Sequence, residues 1–285
     1  MQCYLCSGTE FLHREGSVRD APSLQILECL QCGLVTLSSH AHISPEHYAQ
    51  SGMHGDDIPS IDAWLQDSAT DDERRFEHLK PYLVNRSVLD FGCGAGGFLE
   101  RARAIASAVV GIEREGRIQV FWGNRLRVVS DIDEVHEEFD LVTAFHVVEH
   151  LQDPRATVNK LGSLLNRDGR LVIEVPSSDD ALLTLYESKP FRQFSYWSQH
   201  LFLFNAKTLN RLVLQAGMRV VTIQHYQRYP LSNHLYWLSH GEPGGHRKWS
   251  FLNSQALDEA YAASLAAIGR SDTLIAFVER IDSRA

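Results

Sequence analysis

The stretch SVLDFGCGAGGFLERA, Ser87 to Ala102, decides the fold. An apolar run ends in an acid, Asp90, and glycines follow at Gly92, Gly94, Gly96 and Gly97. A strand that runs through a glycine-rich turn into a helix opens a nucleotide-binding α/β sheet, and Gly92-x-Gly94-x-x-Gly97 matches the dinucleotide fingerprint. Asp90 argues for a different ligand. A carboxylate at the tip of the strand repels a pyrophosphate, yet it accepts hydrogen bonds from an ammonium group. Gly92 and Gly94 let the backbone approach a ligand closely. The helix N-terminus behind them favours a carboxylate as readily as a phosphate. The loop therefore suits a ligand with both an ammonium and a carboxylate.

The same alternation continues downstream. Candidate strands are 88–91, 109–113, 128–129, 141–145 and 171–175, then 219–225 and 274–281. Helical patterns fall at 98–105, at 156–165 before the turn NRDG, and at 209–216. Short, nearly continuous apolar strands alternating with helices predict an α/β fold whose parallel sheet is covered on both faces. An insertion, rather than a regular crossover, precedes the seventh strand.

Two further segments bear on the ligand. The second strand ends VVGIERE, which places Glu113 where an acid bridges two ribose hydroxyls, a mark shared with dinucleotide enzymes. The third strand runs into VVSDIDE, where Asp131 can accept from an adenine amino group and Ile132 can pack on the ring. With VLDFGCGAGGF, GIE, SDI, FDLVTAFHVVEHLQDP and RDGRLVIEVP in this order, residues 87 to about 174 resemble the class I S-adenosylmethionine-dependent methyltransferases. The resemblance implies a Rossmann-like seven-stranded sheet and S-adenosyl-L-methionine as cofactor. It implies that Asp90, Gly92 and Gly94, with Cys93 between the glycines, hold the amino-acid end. Glu113 then holds the ribose, Asp131 and Ile132 the base, and His146 lies beside the cofactor. The doubled glycine at Gly96 and Gly97 departs from the pattern and leaves open which of them approaches the ligand.

Four of the five cysteines form two pairs, Cys3-x-x-Cys6 and Cys29-x-x-Cys32, and Gly33 follows the second. Each pair can aim two thiolates at one tetrahedral ion, and the spacing reads as a structural zinc site in an N-terminal ribbon-like module. A redox C-x-x-C usually comes singly at a helix start in a βαβ setting, and a structural disulfide is disfavoured in a cytosolic chain. Four thiolates leave no open position, so the ion is expected to do no chemistry; His13, His40 and His42 are close in sequence but not needed. Residues 40–71 read as a polar connector, with Asp71 or Asp72 capping a helix that carries Phe76, Leu79 and Leu83 on one face and Pro81 near its end. The division expected is a zinc module at 1–40, a helical connector at 41–85 and a methyltransferase domain at 86–285, with insertions at 176–205 and 228–272.

Charge bears on the acceptor. The net charge is −9, and residues 1–85 hold 5 Lys and Arg against 13 Asp and Glu. An acidic N-terminal third is a poor platform for a polyanion, which disfavours nucleic acid. No apolar run reaches the roughly 18 residues of a membrane helix. The N-terminus lacks the pattern of a signal peptide. Both point to a cytoplasmic protein without membrane insertion. The two insertions mix aromatic and polar residues, which suits a pocket for a polar organic acceptor; the alternative is a lid or a homodimer contact. Candidate bases for a hydroxyl acceptor are His146, Glu149, His150 and His200, with His200 preferred and His150 assigned to positioning or, failing His200, to the base role. The first reading is O-methylation of a saccharide-like or nucleotide-linked small molecule, with any phosphate handle near Arg228 or Arg247. The second is an RNA base methyltransferase that uses the zinc module for its substrate. The third is a non-catalytic cofactor-fold subunit that binds a partner protein.

Overall fold

The computed structural model describes residues 1–281 except Pro45 and Asp56. The end of the expected 86–285 domain and two positions of the connector thus lie outside the described residues. Among those described, two sheets form. The larger has seven strands: β4 (Ser87–Phe91), β5 (Ala108–Ile112), β6 (Arg127–Val129), β7 (Phe139–Phe145), β8 (Leu165–Pro176), β10 (Met218–Tyr226) and β11 (Thr273–Arg280). Their order is β10-β11-β8-β7-β4-β5-β6. The strands β6, β5, β4, β7 and β8 pair in parallel, and β11 pairs antiparallel with both β8 and β10. The expected parallel sheet therefore holds with one reversed strand.

Period-two alternation explains why these strands are apolar throughout. Val88, Leu141, Val172 and Ile275 face one layer, with Leu79 and Leu83 of α1 (Ile61–Leu83) and Phe98 and Leu99 of α2 (Gly97–Ala102). Leu89, Val142, Leu171, Ile173 and Leu274 face the other, with Val158 and Leu161 of α4 (Pro154–Ser163) and Leu209, Leu212 and Val213 of α7 (Ala206–Gln215). Successive side chains on a strand point to opposite faces, so both must be apolar when helices cover both. The helix α3 (Gly116–Trp122) follows β5, and its Trp122 donates to the Ala95 carbonyl in the glycine loop at 2.9 Å.

The helix α1 corrects one expectation. Its N-cap is Ser60, whose hydroxyl accepts from Ala63 N at 3.2 Å, not Asp71 or Asp72. Both aspartates lie inside the helix, where Asp71 pairs with Arg74 and Arg228 and Asp72 accepts from Ser68 at 2.7 Å. Pro81 sits in the last turn, where the i→i−4 bond it removes lies close to the helix end.

The smaller sheet is N-terminal: β1 (Phe11–His13), β2 (Ile26–Cys29) and β3 (Val35–Leu37) form an antiparallel meander. Its fourth strand, β9 (Phe202–Leu203), comes from the 176–205 insertion, with Val35 opposite Leu203 and Thr36 opposite Phe202. The ribbon is also bonded to its surroundings elsewhere. Gln215 donates to the Leu5 carbonyl at 2.7 Å, and Arg14 to the Ser178 carbonyl at 2.6 Å. Asp20 accepts from the backbone and hydroxyl of Ser198 at 2.9 and 2.7 Å. Ribbon residues Leu34, Val35 and Leu37 share one core with Phe202, Phe204 and the α7 face. The first insertion also carries α5 (Ala181–Thr184) and α6 (Lys189–Ser195), and the second forms α8 (Leu231–His240), α9 (Gly245–Lys248) and α10 (Gln255–Ala267). Among the described residues, no helix is long and apolar enough to cross a membrane.

Candidate active site

A cavity of about 640 Å³ opens beyond the carboxyl ends of β4, β5, β6 and β7. That is where open α/β sheets bind ligands, and the volume is in the range of small-molecule sites. Asp90, Gly92, Cys93, Gly94, Glu113, Asp131, Ile132 and His146 all line it.

The loop after β4 is held by backbone constraints. Gly92 and Gly94 have φ of +70° and +53°. A Cβ on Gly92 would come within 2.5 Å of Val147, and one on Gly94 within 3.1 Å of the Trp64 ring. The doubled glycine serves packing: a side chain on Gly96 would strike Trp122, and one on Gly97 would strike the Asp72 carboxylate.

Asp90 is 3% exposed, accepts from Thr143 Oγ1 at 2.7 Å, and burial pushes its carboxyl up to about 7. A buried acid in that state gains most from an incoming cation, because the cation restores the charged form. Burial also raises Glu113, against the pull of the Glu115 and Gly94 backbone amides, which it accepts at 3.1 and 3.0 Å. Each Glu113 oxygen keeps a lone pair for a ligand hydroxyl. Asp131 also caps a short 3-10 turn, accepting from Asp133 N at 3.0 Å. These donors and acceptors fit an ammonium, a ribose and a base in that order, as S-adenosylmethionine requires. The Cys93 thiol is driven well up by burial, with Glu113 and Asp90 adding to it, and is unreactive as a thiolate.

His146 follows β7 directly, with φ +54°, in the left-handed region where non-glycine residues are uncommon. Its Nε2 lies 3.1 Å from Glu174 and its Nδ1 3.3 Å from Glu149. Burial lowers its pKa, but the two glutamates outweigh burial and hold it above the ordinary value. His146 is thus the cation of a buried network. Glu174 also accepts from Arg74 at 2.7 and 3.1 Å and from Arg75 at 2.9 Å. Their charges outweigh burial and keep the Glu174 carboxyl well below the usual range.

His150 lines the cavity; His200 does not. The His200 ring stands edge-on behind His150, with centroids 4.9 Å apart, and burial beside His150 lowers its pKa to about 3. A proton acceptor so weak and so placed has no direct reach to a ligand. The expected acceptor wall also differs: among the described residues none of the lining comes from 176–205 or 228–272. The first insertion is spent on the ribbon and the second packs at the β10 end of the sheet. The wall comes instead from Ile43, Tyr48, Met53 and Trp64. Gln199 holds this segment by donating to the Gly52 carbonyl at 3.2 Å, and Ser51 donates to Glu115 at 2.5 Å. Sequence reasoning missed this wall and Arg75 and Asp72 on it; the helical spacing of Trp64, Ser68, Asp72 and Arg75 was the available signal. Arg228, expected near a phosphate, is spent on Asp71 and sits 3.4 Å from His146.

At the N-terminus, the thiols of Cys3, Cys6, Cys29 and Cys32 lie within 4.8 Å of one another, with Cys3–Cys32 at 3.5 Å and Cys6–Cys29 at 3.4 Å. All are free, and a four-thiol cluster is a donor set for zinc.

Comparison with known proteins agrees with this geometry. A similar fold is seen in the 1,6-didemethyltoxoflavin-N1-methyltransferase of Burkholderia thailandensis, solved with bound 1,6-didemethyltoxoflavin and S-adenosylhomocysteine. It superposes with a TM-score of 0.50 at 16% identity, over 89% of this chain and 98% of the other. A ubiquinone biosynthesis O-methyltransferase of Glaesserella parasuis is 30% identical over 107 residues, 32% of this chain and 45% of its own. A probable S-adenosylmethionine-dependent methyltransferase of Mycobacterium tuberculosis is 24% identical over 153 residues, 50% of this chain and 52% of its own. The chain thus spans about half the length of these curated relatives. Residues 63–223 match a family model described as a methyltransferase domain. The chain belongs to the methyltransferase-domain family.

Proposed function

We propose that the protein moves a methyl group from S-adenosylmethionine to a hydroxyl of a small polar molecule, saccharide-like or nucleotide-linked, and that Cys3, Cys6, Cys29 and Cys32 hold one structural zinc ion. The observation that carries this is the shared cavity, where the acids that suit the cofactor, Asp90, Glu113 and Asp131, line the same space as His150. The cofactor supplies an electrophilic methyl carbon. Asp90 takes its ammonium, Glu113 its ribose hydroxyls, and Asp131 with Ile132 its base. Tyr48, Met53 and Ile43 offer an acceptor one apolar face and exclude water. The oxygen–carbon bond forms as the carbon–sulfur bond breaks. The hydroxyl proton passes to the buried cluster of Glu149, His150 and His200, entered through His150.

The basic pairs support a small acceptor over RNA. Arg101 is paired with Glu73, Arg103 donates to the Arg125 carbonyl, and Lys248 is held by Tyr236 and Glu242. These pairs are short, separate and partly neutralised, unlike the continuous basic track that a phosphate backbone needs. The test supplies methyl-labelled cofactor with either total RNA or a small-metabolite extract. Label is expected in the extract, and His150→Ala should lower turnover about 10²–10⁴-fold with cofactor affinity retained. Label in RNA with a strongly salt-dependent rate, or an unimpaired His150→Ala, overturns the reading.

A further inference from the structure

Behind the cavity wall lies a group of side chains without the partners that burial demands. Glu149 is 0% exposed, and neither of its carboxylate oxygens has a hydrogen-bond partner among the described residues. The Nδ1 atoms of His150 and His200 are also buried and unpartnered. One ligand atom from each of these three residues lies within 4.8 Å of the others. Trp197 packs edge-on against both imidazoles, with centroids 5.9 and 5.5 Å away, and shields them on that side.

An isolated buried carboxylate is costly unless a cation or donors meet it. The nearby cations are largely committed elsewhere. Arg74 and Arg75 are bonded to Glu174, and Arg228 to Asp71. His146 approaches Glu149 Oε1 at 3.3 Å, without hydrogen-bond alignment, while its other nitrogen faces Glu174. A Glu149 carboxylate oxygen and an imidazole nitrogen from each histidine still lie close enough together to share one ion.

We propose that Glu149, His150 and His200 bind one first-row divalent cation. Two imidazoles and a carboxylate make a borderline donor set that takes zinc, iron, cobalt or manganese. The site is separate from the four-cysteine cluster and draws on two distant segments: the turn after β7 and the insertion that docks the ribbon. Because His150 is the member on the cavity wall, the ion sits at the cavity's edge; with it bound, His150 serves as its ligand instead of as a free proton acceptor, and an acceptor hydroxyl that completes the coordination loses its proton to solvent. That role rests on the methyl-transfer reading above; the presence of the ion does not.

The experiment counts ions in the full-length chain purified without chelator, by elemental mass spectrometry, for wild type, Glu149→Gln, His200→Gln and Cys29→Ser. Circular dichroism checks folding, and alkylation of the four thiols reports the cysteine cluster independently. The wild type is expected to carry one ion more than Glu149→Gln and His200→Gln, while their thiols stay as protected as in wild type. Equal ion content in wild type and both variants overturns the proposal. So does an ion deficit in the variants that comes with newly reactive thiols, since the lost ion is then the cysteine-bound one. If the variants do not fold, the count is made on wild type alone: ions in excess of the cysteine-bound one support the site, and no excess overturns it. An unimpaired His150→Ala beside a normal excess ion rejects the methyl-transfer role alone.

Discussion

Replacing Glu174 with glutamine keeps the shape of the side chain and removes its charge. Three cations converge on this carboxylate: Arg74 at 2.7 Å, Arg75 at 2.9 Å and His146 at 3.1 Å. Glu174 is 1% exposed, and the arginine side chains are 15% and 12% exposed, so solvent screens little of the loss. Removing one partner of a buried ion pair costs about 3–5 kcal/mol, because the charge left behind is uncompensated. At about 2–3 °C per kcal/mol for a chain of this size, the thermal midpoint should fall by about 6–15 °C. The acid side gives a second reading. The Glu174 pKa is well below its ordinary value of 4.5, so its contribution is complete above about pH 4.5 and drains away as pH falls through the folded value. The gap between wild type and Glu174→Gln should therefore be widest near neutral pH and close on acidification. The His146 ring should also titrate lower in the variant, which proton NMR can follow. A drop under about 2 °C at neutral pH, a third of the smallest fall expected, or a gap that widens in acid, refutes the account of Glu174 as the centre of the network.

Other outcomes follow from the same geometry. Asp90→Ala and Glu113→Ala should each weaken S-adenosylmethionine binding by about 1–3 kcal/mol in calorimetry, since each leaves a polar group of the ligand unpaired; unchanged affinity removes them from the site. Cys29→Ser should abolish zinc at the four-cysteine cluster and, because β3 is paired with β9, slow turnover as well as loosen the ribbon; intact zinc, or full turnover without it, contradicts this. Gly97→Ala should lower stability by about 1–3 kcal/mol by forcing Asp72 off Ser68, read from denaturant midpoints; a neutral effect means α1 and α2 are not in tight contact.

The parts legible in the sequence were those whose chemistry is local. The strand, turn and helix around Asp90 and Gly92 fall within sixteen residues, and each cysteine pair spans four. Glu113, Asp131 and Ile132 could be placed because strand ends in a parallel sheet meet at one edge. The start of α1 was hidden because its inner face is half polar: Ser68, Asp72 and Arg75 look solvated until Glu174 is brought beside them. The acceptor wall was misplaced for a related reason. Tyr48 and Met53 sit in a segment without periodicity, held by Gln199 and Glu115 from far along the chain. β9 has two residues, too few to show a strand pattern, so nothing in the 176–205 segment announced its pairing with the ribbon.

That pairing sets an order of events during synthesis. Val35 meets Leu203, about 170 residues later in the chain. At about 5–20 residues per second, the first three ribbon strands wait about 10–30 s for the fourth to be made. Throughout that interval β3, whose three residues are all buried in the finished protein, presents an open edge. A nascent chain with such an edge can pair with a neighbour on the same message. The acidic first third of the chain then has a use besides its effect on polyanions: at −8 over 85 residues, most of it in the segment that follows the ribbon, nascent N-terminal thirds repel one another until β9 arrives.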